Sequence, residues 1–380
     1  MPATLPEEEL RAWLRLSMEP GLPASQTRNL LAAIGLPQDI YAASSSALSR
    51  LVPTSLAAQL KSAPDDQVAG AIDRAIEWHT REGCHILTLA DPAYPPSLLD
   101  SHDPPILLYL NGNPSVLSRP TIALVGARSA TPAGEENARA FARHLAAQGW
   151  CIASGLARGI DAAAHEGALL AGSEGGSTVA VMGTGIDIVF PASNRDLAHR
   201  IAAQGAIVSE FPMGMRALPH HFPRRNRIVA GLARGVLVVE AARQSGSLIT
   251  ARLATEMGRE VFAIPGSIHS PLSRGCHALI RQGARLVESG QDILEELGTP
   301  RPAAARKPAD PREAGLAARY GKDAEAVLQA LGYDPVHMDT LASRSGLTVI
   351  ALHPILLELE LDGIIARQSD GSYQRLPPSE

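Results

Sequence analysis

The sequence predicts an α/β protein whose centre is a parallel sheet covered by helices on both faces. Seven short apolar runs, at 121–126, 150–155, 177–183, 206–210, 235–240, 260–265 and 284–288, lack polar alternation and so suit strands buried on both faces. The segments between them, such as 134–149 and 160–172, have the length of crossover helices. The first four runs end in small or polar residues that lead into a helix. In such a sheet, ligands bind at the carboxyl ends of the strands. Arg128, Arg158, Arg195, Arg225 and Arg227 are expected to gather at that edge.

A chain of 380 residues, 45% apolar and 19% charged, allows two or three globular domains. Its net charge of -5 excludes a strong overall basic field, so a polyanion would have to meet a local cluster. Every Lys or Arg between Arg119 and Glu296 is an arginine. Cys84, Cys151 and Cys276 form no C-x-x-C pair and read as buried thiols. No signal peptide and no run near the ~20 apolar residues of a membrane span is apparent, which predicts a cytoplasmic protein.

In chain order, residues 1–82 read as a helical N-terminal domain, with a short acidic lead over 1–9 and brief helices from Leu10 to about Ser62. Glu19-Pro20-Gly21-Leu22-Pro23 before the helix Ala24–Ile34 reads as a helical hairpin. Such a hairpin can offer backbone amides to a DNA phosphate, but packing on the neighbouring domain is the favoured reading. Residues 66–82 read as one amphipathic helix, with Val68, Ile72, Ala75, Ile76 and His79 on one face.

The sheet domain spans 83–298. It opens with apolar strands at 84–89 and 106–110, separated by rigid proline turns at 91–96 and 103–105. A Pro/Ala/Arg-rich linker covers 299–318. Residues 319–380 then read as helices at 324–331, 339–344 and 348–361, followed by a hairpin with its turn at Ser369-Asp370-Gly371. Three helices and a hairpin make a winged-helix unit. Its third helix carries His353, Glu358 and Glu360 and no lysine or arginine. That composition points to a protein-contact module and away from a DNA reader.

Four stretches carry the candidate chemistry. Arg128, in the first strand-to-helix turn, is placed to clamp a phosphate. Gly155 and Gly159, around Arg158, let backbone approach a ligand closely. Asp161 reads as a helix cap or as a partner for Arg158, and His165 as a structural histidine. In Phe222-Pro223-Arg224-Arg225-Asn226-Arg227, read as lying before a helix at 228–232, cations crowd the positive end of a helix dipole. This is favourable only with an anion present. Asn226 adds a hydrogen bond and Phe222 a stacking face. Ser245, Gly246, Ser247 and Thr250 form an anion cradle at another helix start, with a plain N-cap as the alternative.

No catalytic triad, metal cluster or paired carboxylates emerges, and no cofactor or metal is expected. Met182-Gly183-Thr184-Gly185 lacks the third glycine of a dinucleotide fingerprint, and a sheet domain without lysine excludes a P-loop.

These motifs, six in the same order between about Asp91 and Val287, resemble the DprA (Smf) family of DNA-processing proteins. The flanking domains resemble that family's helical N-terminal domain, of the SAM or helix-hairpin-helix kind, and its winged C-terminal domain. The resemblance implies an extended Rossmann-like domain that binds single-stranded DNA without sequence preference and forms a homodimer. It also implies protection of incoming DNA during natural transformation, help in loading RecA, and no catalysis. By it, Arg128 and the 245–250 loop contact phosphates. Many relatives carry a lysine near 190–195. This chain has Asn194 and Arg195 there, and Arg195 is expected to take the lysine's place. The rival reading is a nucleotide phosphoribohydrolase of a related fold, whose P-G-G-x-G-T-x-x-E motif is missing at Pro265-Gly266-Ser267.

Overall fold

In the computed structural model the described residues are 5–298, except His102, and parts of 324–376. A nine-stranded sheet forms the centre, in the order β1-β2-β6-β5-β4-β3-β7-β8-β9. The strands are β1 Cys84–Thr88, β2 Leu107–Gly112, β3 Thr121–Val125, β4 Cys151–Ser154, β5 Thr178–Val181, β6 Ala206–Ser209, β7 Gly235–Val238, β8 Glu260–Ala263 and β9 Arg285–Leu286. All seven expected runs hold a strand, and those strands pair in parallel. The apolar strands expected at 84–89 and 106–110 are β1 and β2, which pair antiparallel and add to β6, extending the sheet to nine strands.

Helices lie on both faces because successive residues of each buried strand point opposite ways. The helices of the sheet region are α8 Pro132–Ala147, α9 Ile160–Leu170, α10 Arg195–Gln204, α11 His221–Leu232, α12 Ser247–Glu256, α13 Arg274–Arg281 and α14 Gly290–Leu297. On one face Ala123, Val125, Val236 and Val238 pack under α11, α12 and α13. On the other, Ile122, Leu124, Leu237 and Val239 pack under α8, α9 and α14.

The N-terminal helices are α1 Glu7–Met18, α2 Ala24–Ile34, α3 Pro37–Ala42, α4 Ser45–Leu48, α5 Thr54–Lys61 and α6 Asp66–His79, with α7 Pro96–Leu99 after β1. The acidic lead is in part the first turn of α1, where Glu7, Glu8 and Glu9 suit the positive end of the dipole. Trp13 and Trp78 share one apolar cluster with Ile86 and Tyr109 of β1 and β2, so these helices pack on that end of the sheet. Trp78 meets Tyr109 edge-on, with centroids 5.9 Å apart.

Toward the C-terminus, helices Met338–Ser345 and Val349–Leu361 precede the antiparallel pair Ile365–Arg367 and Tyr373–Arg375, the expected winged-helix pattern. The linker expected at 299–318 lies outside the described residues, as does half of the helix expected at 324–331, whose described residues are helical. Among the described residues no helix is long and apolar enough to cross a membrane.

The chain runs outward from β3 through β4 and β5 to β6, then returns to place β7 on the other side of β3. The loops after β3 and β7 therefore diverge, which opens a crevice at the carboxyl ends of these two strands.

Candidate nucleic-acid interface at the strand ends

A cavity of about 680 Å³ occupies that crevice. Arg128 and Ser129 line it from the loop after β3, Ala157 and Asp161 from the loop and helix after β4, and Phe222, Arg225 and Asn226 from α11. Gln244, Ser245, Gly246, Ser247 and Thr250 line it from the loop after β7 and from α12. Arg158, Asn194, Arg195 and Arg227 are not among its lining residues.

Arg128 is exposed, has no carboxylate partner among the described residues, and lies with its guanidinium 5.3 Å from the Phe222 ring centre. Across the cavity, Ser247 starts α12, the Ser245 and Ser247 hydroxyls lie 2.7 Å apart, and Gly246 is exposed with open space where a Cβ would stand. Backbone amides at such a start carry the positive end of the helix dipole. One guanidinium, one helix start and one aromatic face thus border the same space.

The arginine run behaves otherwise than expected. It lies inside α11, which begins at His221 and not at 228. Arg225 is only 4% exposed, in phase with Ile228 and Leu232 on the buried face. Its Nη1 donates to the carbonyls of Gly155 and Val181 at the ends of β4 and β5, and its Nε donates to Asn226 Oδ1 at 3.2 Å. Burial pulls its pKa down to about 10, with Asp161 beside it opposing the fall. Arg227 donates to Glu210 and to the Asp103 carbonyl, and Glu210 is itself almost fully buried. Arg225 and Arg227 are therefore internal braces; Arg225 still borders the cavity from within, whereas Arg227 lies outside its lining, contrary to the expectation that both offer free charge at the edge. A buried guanidinium finds backbone carbonyls and a carboxylate because it cannot stay unpaired away from water.

Four side chains of α11 hold the rim together. Phe222 meets Arg128 of the β3 loop, Arg225 ties down the ends of β4 and β5, Asn226 Nδ2 donates to the Gly246 carbonyl at 3.3 Å, and Arg227 fixes the end of β6. The glycines serve this packing. A Cβ at Gly155 would stand 2.5 Å from the Arg225 guanidinium, and Gly159, at φ 71°, abuts the Ala127 carbonyl. Both glycines make these close approaches within the protein, and neither lines the cavity.

Asp161 does not pair with Arg158. Its carboxylate accepts the amides of Gly155 at 3.1 Å and Ala157 at 3.4 Å, while burial raises its pKa and the nearby Arg225 opposes the rise. Asn194 donates to the carbonyls of Leu156 and Ala157, so it braces the same loop. Arg158 and Arg195 are exposed, away from the cavity lining. His165 is fully buried. Thr178 Oγ1 donates to the Ile152 carbonyl, so His165 Nδ1 must donate to Thr178, at 2.7 Å. Burial lowers its pKa to about 3, which keeps the ring neutral.

Reading the sequence missed Gln244 and Ser129 in the lining; their adjacency to Ser245 and Arg128 was the available signal. It also missed the use made of Glu240. That carboxylate accepts the amide and hydroxyl of Thr131 at the start of α8, and Gly134 leaves room for it. The first helix start of the sheet is thus filled by the protein's own carboxylate. No group of three or more His, Cys, Asp or Glu among the described residues could hold a metal.

Sheet, strand-end cleft and winged-helix unit together define the class, a Rossmann-like α/β protein with an added winged-helix unit. Residues 85–298 match the family described as DNA recombination-mediator protein A, and residues 300–371 match the DprA winged helix domain. Protein Smf of Escherichia coli is 41% identical over 311 residues, covering 80% of this chain and 81% of that protein. DNA processing protein DprA of Streptococcus pneumoniae is 47% identical over 209 residues, covering 55% and 73%. The solved structure of the Streptococcus pneumoniae protein superposes with a TM-score of 0.65 at 34% identity, covering 78% of this chain and 99% of that one. A structure of DNA processing protein A from Helicobacter pylori, described for its single-stranded DNA binding mode, superposes at 0.51 and 30% identity, covering 56% and 95%. The chain belongs to the DprA (Smf) family of DNA-processing proteins.

Proposed function

We propose that the protein binds single-stranded DNA in the strand-end cleft, without sequence preference. The observation that carries this reading is Arg128: exposed, without an ion-pair partner among the described residues, and facing the Ser245–Gly246 turn at the start of α12 across an aromatic-walled cavity. Arginine and helix amides take phosphates, while an aromatic face accepts any base. The single-stranded DNA bound by the Helicobacter pylori relative supports the same ligand here.

Arg128→Ala should weaken binding of oligo-dT and lower the slope of log K against log salt by about 0.7, the value of one single-strand phosphate contact. Gel shifts at several salt concentrations measure both. Unchanged affinity and slope in this variant would remove the reading.

We further propose that this binding serves protection of incoming DNA and RecA loading in natural transformation, in the cytoplasm, by a homodimer joined through the sheet domain. Family membership supports these roles. Light scattering of the pure protein tests the dimer, and RecA filament formation on single strands with and without the protein tests loading. The role is that of a binder without turnover. Glu210 and Glu240, the carboxylates at the strand ends, are engaged by Arg227 and Thr131. The winged-helix unit is proposed as a protein contact, since Leu357 and Leu361 stand 58% and 79% exposed on its acidic helix.

A further inference from the structure

Among the described residues one aromatic ring is exposed. It belongs to Phe190, 46% exposed in the loop between β5 and α10. Every other described Phe, Tyr or Trp is buried or half-buried. Phe190 is also absent from the apolar clusters that make the core. A lone exposed apolar side chain is ordinary. What sets this one apart is its neighbour. Its ring centre lies 5.6 Å from that of Phe222, with the planes at 41°, and Phe222 lines the cavity. Phe190 itself stands outside the lining, so the two rings lead from the cavity to open surface. Arg128 lies over the Phe222 ring, and a Cβ at Gly183 would stand 3.0 Å from its edge. Phe190 is the ring of the pair that keeps a free surface.

The loop is held on both sides of that ring. Before it, Thr184 Oγ1 donates to the Ile188 carbonyl and Asp187 accepts the Gly214 amide. After it, Asn194 donates to the carbonyls of Leu156 and Ala157. That tie brings together Arg195 and Arg158, the next residues along the two segments. Both are exposed and without an ion-pair partner among the described residues. The ring is thus fixed before any ligand arrives, which lowers the ordering cost of binding.

We propose that Phe190 is a second base platform. A single strand leaving the cavity past Phe222 stacks one unpaired base on the Phe190 ring, on the side where Arg158 and Arg195 stand. This rests on the reading of the cavity as the single-strand site. It adds an exit route to that site, and it adds a reason for preferring unpaired strands. A duplex keeps its bases stacked on one another, so the ring meets a free base face only when the strand is single.

The test uses the full chain and the shortest oligo-dT that binds with full affinity. One nucleotide after another is replaced by an abasic residue, and affinity is read by fluorescence anisotropy. The unaltered protein should lose on the order of 5- to 100-fold at the position stacked on Phe190, the range for one base on an aromatic side chain. Phe190→Ala should bind intact oligo-dT more weakly by that same factor. It should show no further loss at that position and unchanged losses at the others. Phe190→Trp should keep the affinity. Phe190→Leu, apolar but without a π face, should lose most of it. A 5-iodouridine at that position should crosslink to Phe190. The side chain is exposed, so melting temperatures should stay together.

Full affinity in Phe190→Ala would overturn the platform, as would weaker binding with every abasic penalty intact. Penalties that vanish at all positions would make Phe190 a mere prop for Phe222 and overturn it too. Weak binding by Arg128→Ala beside an unaffected Phe190→Ala would strike this inference alone. An unaltered protein that binds no oligonucleotide would strike the cavity reading and this one together.

Discussion

Arg128 and Arg225 border the same cavity and both act on Asp161 of α9, yet they do opposite work. Arg128 stands exposed in a loop over an aromatic face, with no ion-pair partner among the described residues, so its charge is open to an incoming anion. Arg225 points inward from a helix, and its hydrogen bonds go to the carbonyl ends of β4 and β5. The difference teaches that an arginine's role follows from which groups are already within reach of its guanidinium. A residue whose donors are taken by the fold shapes a site, and one whose donors face water can bind.

The comparison can be broken most forcefully at Arg225. Its replacement by Ala should destabilise the protein by about 3–5 kcal/mol, because Asp161 and two carbonyls lose a buried partner. Thermal or urea unfolding measures this, and a change within ~0.5 kcal/mol would mean that the brace is ornamental.

Gly155→Ala presses on the same guanidinium from the other side, since the new methyl would stand 2.5 Å from it. A loss of about 1–3 kcal/mol is expected from overpacking, checked by the same unfolding curves.

His165 lies near Arg225 in the buried interior and should make the fold sensitive to acid. Its folded pKa of about 3 is below its ordinary 6.5, so between those values the unfolded chain binds more protons and stability rises with pH. Its contribution is full above the ordinary value and is lost as pH falls toward 3. The slope of stability against pH should be lower in His165→Gln by up to about 1.4 kcal/mol per pH unit in that window. Equal slopes in variant and unaltered protein would show that the ring does not stay neutral inside.

The smallest effect on folding belongs to Arg128→Ala, within about 0.5 kcal/mol of the unaltered protein as for other surface changes. Its loss should appear in DNA binding alone. A large drop in melting temperature would make Arg128 a brace like Arg225 and erase the contrast.

Much of this was legible beforehand. Unalternated apolar runs mark strands buried on both faces wherever they fall, and each of the seven lies in the parallel part of the sheet. The loop of Arg128 and the start of α12 were readable because short turns after such strands must reach the ligand edge. The beginning of α11 was hidden, since Arg225 occupies a core position in helical phase and breaks the apolar period that would announce the helix.

The sequence by itself determined the sheet, its crossovers and the cluster of arginines near one edge. All three follow from local pattern and chain direction. Only the tertiary structure decided which arginine faces outward and which helix start borders the cavity. Arg225 meets Gly155 and Val181 across gaps of 70 and 44 residues, and Glu240 reaches Thr131 across 109. Partners that distant are set by packing of the whole sheet, and a buried charge takes whichever of them that packing brings within reach.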